Sequence, residues 1–131
     1  MDDPGQPLRI TLAWSDAPGA PGASPALVND LDLTVVTDGQ TYRGNVFSAG
    51  VSVTGGTADA LNNLENVFVP APGSTASITV HATAVNGDGV PFSGDTTDQD
   101  FVLVCSNCLG SEIFADGFES GNTSAWTTTA N

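Results

Sequence analysis

Whatever chemistry this chain performs rests on three clusters of oxygen-bearing side chains. Asp16 follows a short alternating segment, Asn29, Asp30 and Asp32 lie in LVNDLDLTV (27–35), and Asn62, Asn63, Glu65 and Asn66 lie in LNNLENV (61–67). In an extended chain Asp30 and Asp32 share one face, roughly 7 Å apart, and strands do not favour such residues. Two like charges so placed require water or a cation. Calcium takes about six to eight oxygens from carboxylates, amides and carbonyls at roughly 2.3–2.6 Å. If the fold gathers these strand ends, the candidate ligands are Asp30, Asp32, Asp16, Asn63 and Glu65, in that order. The competing reading makes Asp and Asn turn and cap residues, spent on backbone N–H groups. Asn29 and Asn66 fit that structural role.

The remaining reactive side chains support no catalysis. Cys105 and Cys108 form CSNC. A zinc ribbon needs a second Cys or His pair, and only His81 remains. A thioredoxin-like redox pair needs a helix N-terminus in a βαβ setting. A local disulfide is the plain reading. His81 sits between Val80 and Ala82 in an alternating segment. A Ser–His–Asp triad would need a serine held beside it, and no GxSxG elbow occurs. Asp30 and Asp32 are too close in sequence to flank a sugar ring as a glycosidase pair. No catalytic residue is assigned.

The elements that must position these groups are strands. Leu8, Ile10, Leu12 and Trp14 alternate with Arg9, Thr11 and Ala13, which predicts a first strand with Trp14 facing inward. Leu31, Leu33 and Val35 define a second over Asp30–Thr37, and Asp38-Gly39 is a hairpin signal into a third around Gln40–Arg43. Gly44–Asn63 reads as a long polar connection of the kind that organises function. Further strands are expected at Asn66–Val69, Ile78–Ala84 and Asp100–Cys105. Six or more short strands between turn signals predict an all-β, antiparallel jelly-roll β-sandwich. Residues 1–108 form this domain, with a core over about 7–105, and 109–131 read as a C-terminal appendage, loosely held or an edge element.

Composition narrows the partners. The chain has 131 residues, 15 acidic side chains, two basic ones (Arg9 and Arg43) and a net charge of −13. That field repels nucleic acid and anionic membrane surfaces and suits cations in a salty exterior. No run of ~20 apolar residues predicts a membrane span. The first residues, MDDPGQPLRI, show no signal-peptide pattern, so the expectation is a piece of a longer, exported chain, monomeric by itself.

The blocks LRITLAWSDAPGAP, LVNDLDLTV, DGQTYRGNVF, LNNLENVFVPAP, ITV and QDFVLV, in this order, resemble one known arrangement. It is the C-terminal jelly-roll domain of secreted bacterial subtilisin-like serine proteases, related to the P-domain of proprotein convertases. The resemblance covers roughly residues 7–104 and rests on the order of blocks rather than on any one. It implies a non-catalytic, extracellular accessory domain that packs on the protease domain of the same parent chain, stabilises it and carries calcium. The protease motifs are absent from this chain, and the tail SEIFADGFESGNTSAW lies outside the domain. A weaker, fold-level analogy makes the sandwich an autonomous binder of carbohydrate or another extracellular polymer.

Overall fold

Alternation of apolar and polar residues sets up two sheets whose inner faces meet. The computed structural model describes residues 1–3, 5–109 and 128–130. The strands are β1 (Leu8–Ala13), β2 (Asp30–Thr37), β3 (Gln40–Ser48), β4 (Val51–Thr54), β5 (Leu64–Val69), β6 (Ala76–Ala84), β7 (Val102–Ser106) and β8 (Thr128–Ala130). A three-stranded antiparallel sheet has the order β5-β1-β7, and a five-stranded one has the order β4-β3-β2-β6-β8. No helix occurs among the described residues. The chain is thus the expected antiparallel β-sandwich.

The core is what the period-two pattern places inside. Leu8, Ile10 and Leu12 of β1 meet Leu31, Leu33 and Val35 of β2, with Val67 and Val69 of β5, Ala76 and Val80 of β6, Met1, Trp14 and Phe101 completing the cluster. A fully buried Leu contributes roughly 1.5–3 kcal/mol relative to exposure, so these side chains dominate the favourable side of folding. The indole Nε1 of Trp14 donates to the Asn29 carbonyl at 3.0 Å, which satisfies its polar end inside the core.

The β2–β3 hairpin turns on Asp38 (φ 49°) and Gly39 (φ 69°), both in the left-handed region that a two-residue turn of this hand requires. The reading of Gly44–Asn63 as one long connection is corrected. β3 continues to Ser48, and a second tight hairpin at Ala49 (φ 51°) and Gly50 (φ 83°) leads into β4. Alanine carries no turn preference, so only the glycine of that pair was visible as a signal. The last core strand is displaced from the expected Asp100–Cys105 to Val102–Ser106, where it pairs with β1. Cys105 and Cys108 are joined by a disulfide, their Cα atoms 5.9 Å apart. Of the C-terminal segment, Leu109 and the edge strand β8 against β6 are described; Ile113, Phe114, Phe118 and Trp126 lie outside the described residues.

One departure from regular pairing shapes the site. The β2–β3 ladder runs from Thr37↔Gln40 to Thr34↔Arg43 and goes no further. Beyond it Asn45 takes a left-handed φ of 60°, and the β3–β4 register shifts between Tyr42 and Phe47. The N-terminal half of β2 therefore keeps β6 on one side but lacks β3 on the other.

Candidate functional site

Glu65 occupies the gap that β3 leaves. It belongs to the inward-facing series of β5 with Val67 and Val69 and is 1% exposed. Its Oε2 accepts the backbone N–H of Leu33 at 2.6 Å, taking the place of the missing β3 carbonyl. Gly44 makes this possible, because a Cβ there would fall on the Glu65 carboxylate. The sequence thus carries a buried acid and the glycine that admits it on different strands.

Glu65 has acidic company. Asp30 and Asp32 alternate with Leu31 and Leu33 on β2, and Asp59 comes from the loop between β4 and β5. Oδ1 of Asp30, Oδ1 of Asp32 and Oε1 of Glu65 are each buried without a hydrogen-bond partner. Burial, opposed only by the Leu33 hydrogen bond and reinforced by the charges of Asp32, Asp59 and Asp30, pushes Glu65 up to about 8. Asp30 is also raised, first by burial and then by Asp32 and Asp59. Asp59 moves the other way. Burial raises it, but hydrogen bonds from the side chains of Asn45 and Asn62 and the backbone of Leu61 and Asn62 outweigh that and hold it low.

Asn45 and Asp59 brace the site. The Asn45 amide donates to Asp59 Oδ2 at 2.6 Å and to the Leu64 carbonyl at 2.8 Å, and its oxygen accepts the Asn66 N–H at 3.0 Å. Asp59 Oδ1 accepts the Leu61 N–H at 2.9 Å, and its Oδ2 accepts the Asn62 amide at 2.7 Å. The left-handed backbone of Asn45 thus ends the β2–β3 ladder while its side chain fastens the loop carrying Asp59.

The five residues proposed as ligands from sequence divide into two groups. Asp30, Asp32 and Glu65 each keep a buried carboxylate oxygen without a hydrogen-bond partner, and the charges of the two aspartates raise Glu65. Asp16 serves the backbone instead: Oδ1 accepts the N–H groups of Ala17 (2.9 Å) and Asn29 (2.8 Å), and Oδ2 accepts that of Val28 (2.9 Å). Asn63 bonds through its amide to the Trp14 carbonyl at 2.9 Å, lengthening the β1–β5 pairing. Both do the work of turn and cap residues, anchoring the chain ends around β1. Asn29 is buried and fully committed, donating to Gly87 and Gln99 and accepting from the N–H groups of Asn86 and Gly87. Asn66 accepts from the Thr11 hydroxyl at 2.8 Å. Asp59 and Asn45 were missed. Each lies in the polar stretch misread as one loop, and each is one Asp or Asn among many; the bulge that aims them leaves no mark in the residue pattern.

His81 is exposed and opposite Asp32 in the β2–β6 register. Its Nδ1 lies 3.2 Å from the Thr83 hydroxyl, which donates to Asp32 Oδ2. That hydroxyl hydrogen is committed to the carboxylate rather than to the imidazole.

Among the described residues no group of three or more His, Cys, Asp and Glu side chains is placed so that it could hold a metal ion.

Comparison with known proteins gives one modest link. A protein of Dictyostelium discoideum described as "Serine protease/ABC transporter B family protein tagD" is 30% identical over 116 residues, which cover 77% of this chain and 6% of that protein. The chain therefore spans a small fraction of the relative's length. No protein-family model matches it.

Proposed function

We propose that this chain is a non-catalytic, calcium-stabilised β-sandwich module of an extracellular subtilisin-like serine protease. The observation that supports the cation is that Asp30, Asp32 and Glu65 each keep one buried carboxylate oxygen without a hydrogen-bond partner, Glu65 being almost wholly excluded from water and raised in part by the charges of the other two. Leaving such groups unpaired costs the fold, since unsatisfied buried polar atoms are destabilising by about 1–3 kcal/mol each and charged ones by more. A divalent cation would supply the missing partner and displace the proton that burial makes Glu65 keep. Asp30, Asp32 and Glu65 would hold it, and Asp59, held charged by Asn45 and Asn62, would add a fourth negative group. When bound, calcium supplies electrostatic cross-linking of β2 to β5 across the gap beside β3.

The protease assignment rests on the order of sequence blocks and on the similarity to a protein named a serine protease. In this reading the module supports the protease domain and positions it toward substrate, with no reacting group of its own. Two measurements test the proposal. Thermal unfolding in calcium should lie well above that in excess chelator; at ~100-fold over the dissociation constant an ion adds about 2.7 kcal/mol. Coinciding melts would remove the cation from the account. The coding region upstream should carry the Asp, His and Ser motifs of a subtilisin-like catalytic domain, and their absence would remove the protease.

A further inference from the structure

The segment before β1 is polar and exposed except at its far end. Asp2, Asp3, Gly5, Gln6 and Pro7 face water, whereas Met1 is 7% exposed and belongs to the core cluster. The Met1 nitrogen donates to the carbonyl of Ser74, in the connection between β5 and β6, at 3.2 Å. Ordering an exposed backbone costs entropy, so a second tie is needed to keep the segment on the surface and Met1 in place.

Asn107 is that tie. Its side-chain oxygen accepts the Asp3 N–H at 2.7 Å, and its amide donates to the carbonyls of Asp3 (2.8 Å) and Gln6 (2.9 Å). Its own carbonyl accepts the Asp2 N–H at 3.3 Å. The side-chain amide thus pairs with both backbone groups of Asp3, as a neighbouring strand would. The segment curls to meet it: the Gln6 N–H donates to the Asp3 carbonyl at 3.0 Å, and the Asp3 carboxylate accepts the Gly5 N–H at 2.8 Å.

The backbone of Asn107 is what aims these groups. It has a left-handed φ of 72°, one of several states open to asparagine. It also lies inside the short ring that the Cys105–Cys108 disulfide closes at the end of β7. The ring narrows the choice of state. Both cysteines pack against the core cluster that Met1 enters, so the ring and the far end of the segment meet the same core.

We propose that the CSNC ring is a redox-sensitive latch on the segment before β1. Closed, it sets Asn107 to hold the segment down with Met1 in the core. Open, it releases Asn107, lets the segment lift and uncovers that end of the core. The reductant is a dithiol: its two thiols give two electrons and two protons to the S–S bond, which becomes two cysteine thiols, and they form a disulfide of their own. The latch needs neither the cation nor the protease, so its failure leaves both readings untouched.

Met1 is the single methionine of the chain, so its oxidation reports the position of the segment. Hydrogen peroxide transfers one oxygen atom to an accessible thioether and leaves as water. Sulfoxide formation, followed by mass spectrometry, should be about fivefold or more faster in Cys105→Ser/Cys108→Ser than in the oxidised wild type, the lower end of ordinary coupling between sites. Asn107→Gly retains the disulfide and tolerates the left-handed backbone but lacks the amide, and it should accelerate the reaction to a similar degree. Asp16→Ala weakens the fold elsewhere and should leave the Met1 rate unchanged. Equal acceleration by Asp16→Ala would mean that Met1 reacts through general unfolding, and it overturns the latch. So does a wild-type rate in the serine double variant, or acceleration in one ring variant without the other, since disulfide and Asn107 then do not act together. In the wild type, amide exchange at Asp2 and Asp3 should rise on addition of a dithiol and fall again on reoxidation; exchange that stays constant while both thiols become titratable overturns the latch as well.

Discussion

Replacing Glu65 with Gln tests the site through its dependence on pH. Glu65 has a value of about 8 in the folded chain against an ordinary 4.5. Between these limits the folded state holds a proton that the unfolded state has released, so in the absence of a cation the group makes stability fall as pH rises. The limiting slope is about 1.4 kcal/mol per pH unit, on the order of 5 kcal/mol across the whole window. Below the ordinary value both states are protonated and the effect vanishes. Glutamine keeps an oxygen for the Leu33 N–H and carries no charge. In chelator, Glu65→Gln should therefore be near neutral at pH 4.5 and increasingly stabilising up to pH 9. Urea unfolding of both proteins at several pH values measures this. Taking the difference between them removes the pH dependence that the net charge of −13 adds to each. In excess calcium the order should reverse, because the variant loses a ligand. A difference independent of pH in chelator, or a variant less stable than wild type at pH 9 there, would refute the reasoning.

Three other perturbations separate the site from its scaffold. Gly44→Ala places a methyl group on the Glu65 carboxylate; it should cost about 1–3 kcal/mol of overpacking and abolish the stabilisation by calcium, read by thermal melts with and without the ion. Asp16→Ala leaves the N–H groups of Ala17, Val28 and Asn29 without their acceptor; it should cost about 1–3 kcal/mol equally in calcium and chelator. Replacing Cys105 and Cys108 by Ser opens a loop so short that chain entropy accounts for only ~2 kcal/mol, which denaturant titration of the oxidised and variant proteins will show.

The fold was legible because its core is local in pattern. Leu8-Ile10-Leu12 and Leu31-Leu33-Val35 declare their strands and inner faces by period two alone, and Asp38-Gly39 declares its turn. The Ala49-Gly50 hairpin was illegible because alanine is not a turn residue, and with it went the true course of β3. The site was half legible. Asp30 and Asp32 stand out as acids within a strand, and Glu65 was named as a ligand. What could not be read is that Glu65 points inward, replacing a β3 carbonyl beside Gly44. That depends on where β3 leaves β2, a long-range event marked only by Asn45. Asp16 and Asn63 attracted attention by residue type, and the backbone groups that claim them come from residues up to 49 positions away.

The central claim is that Asp30, Asp32 and Glu65 share a cation, and calcium titration by calorimetry in two buffers of different ionisation enthalpy tests it most directly. With Glu65 near 8, binding at pH 7 should displace close to one proton, since the ligand must be deprotonated. The account predicts one saturable site with that proton release, lost in Glu65→Gln. An absence of binding heat in both buffers, or binding without proton release that Glu65→Gln leaves unchanged, would contradict it.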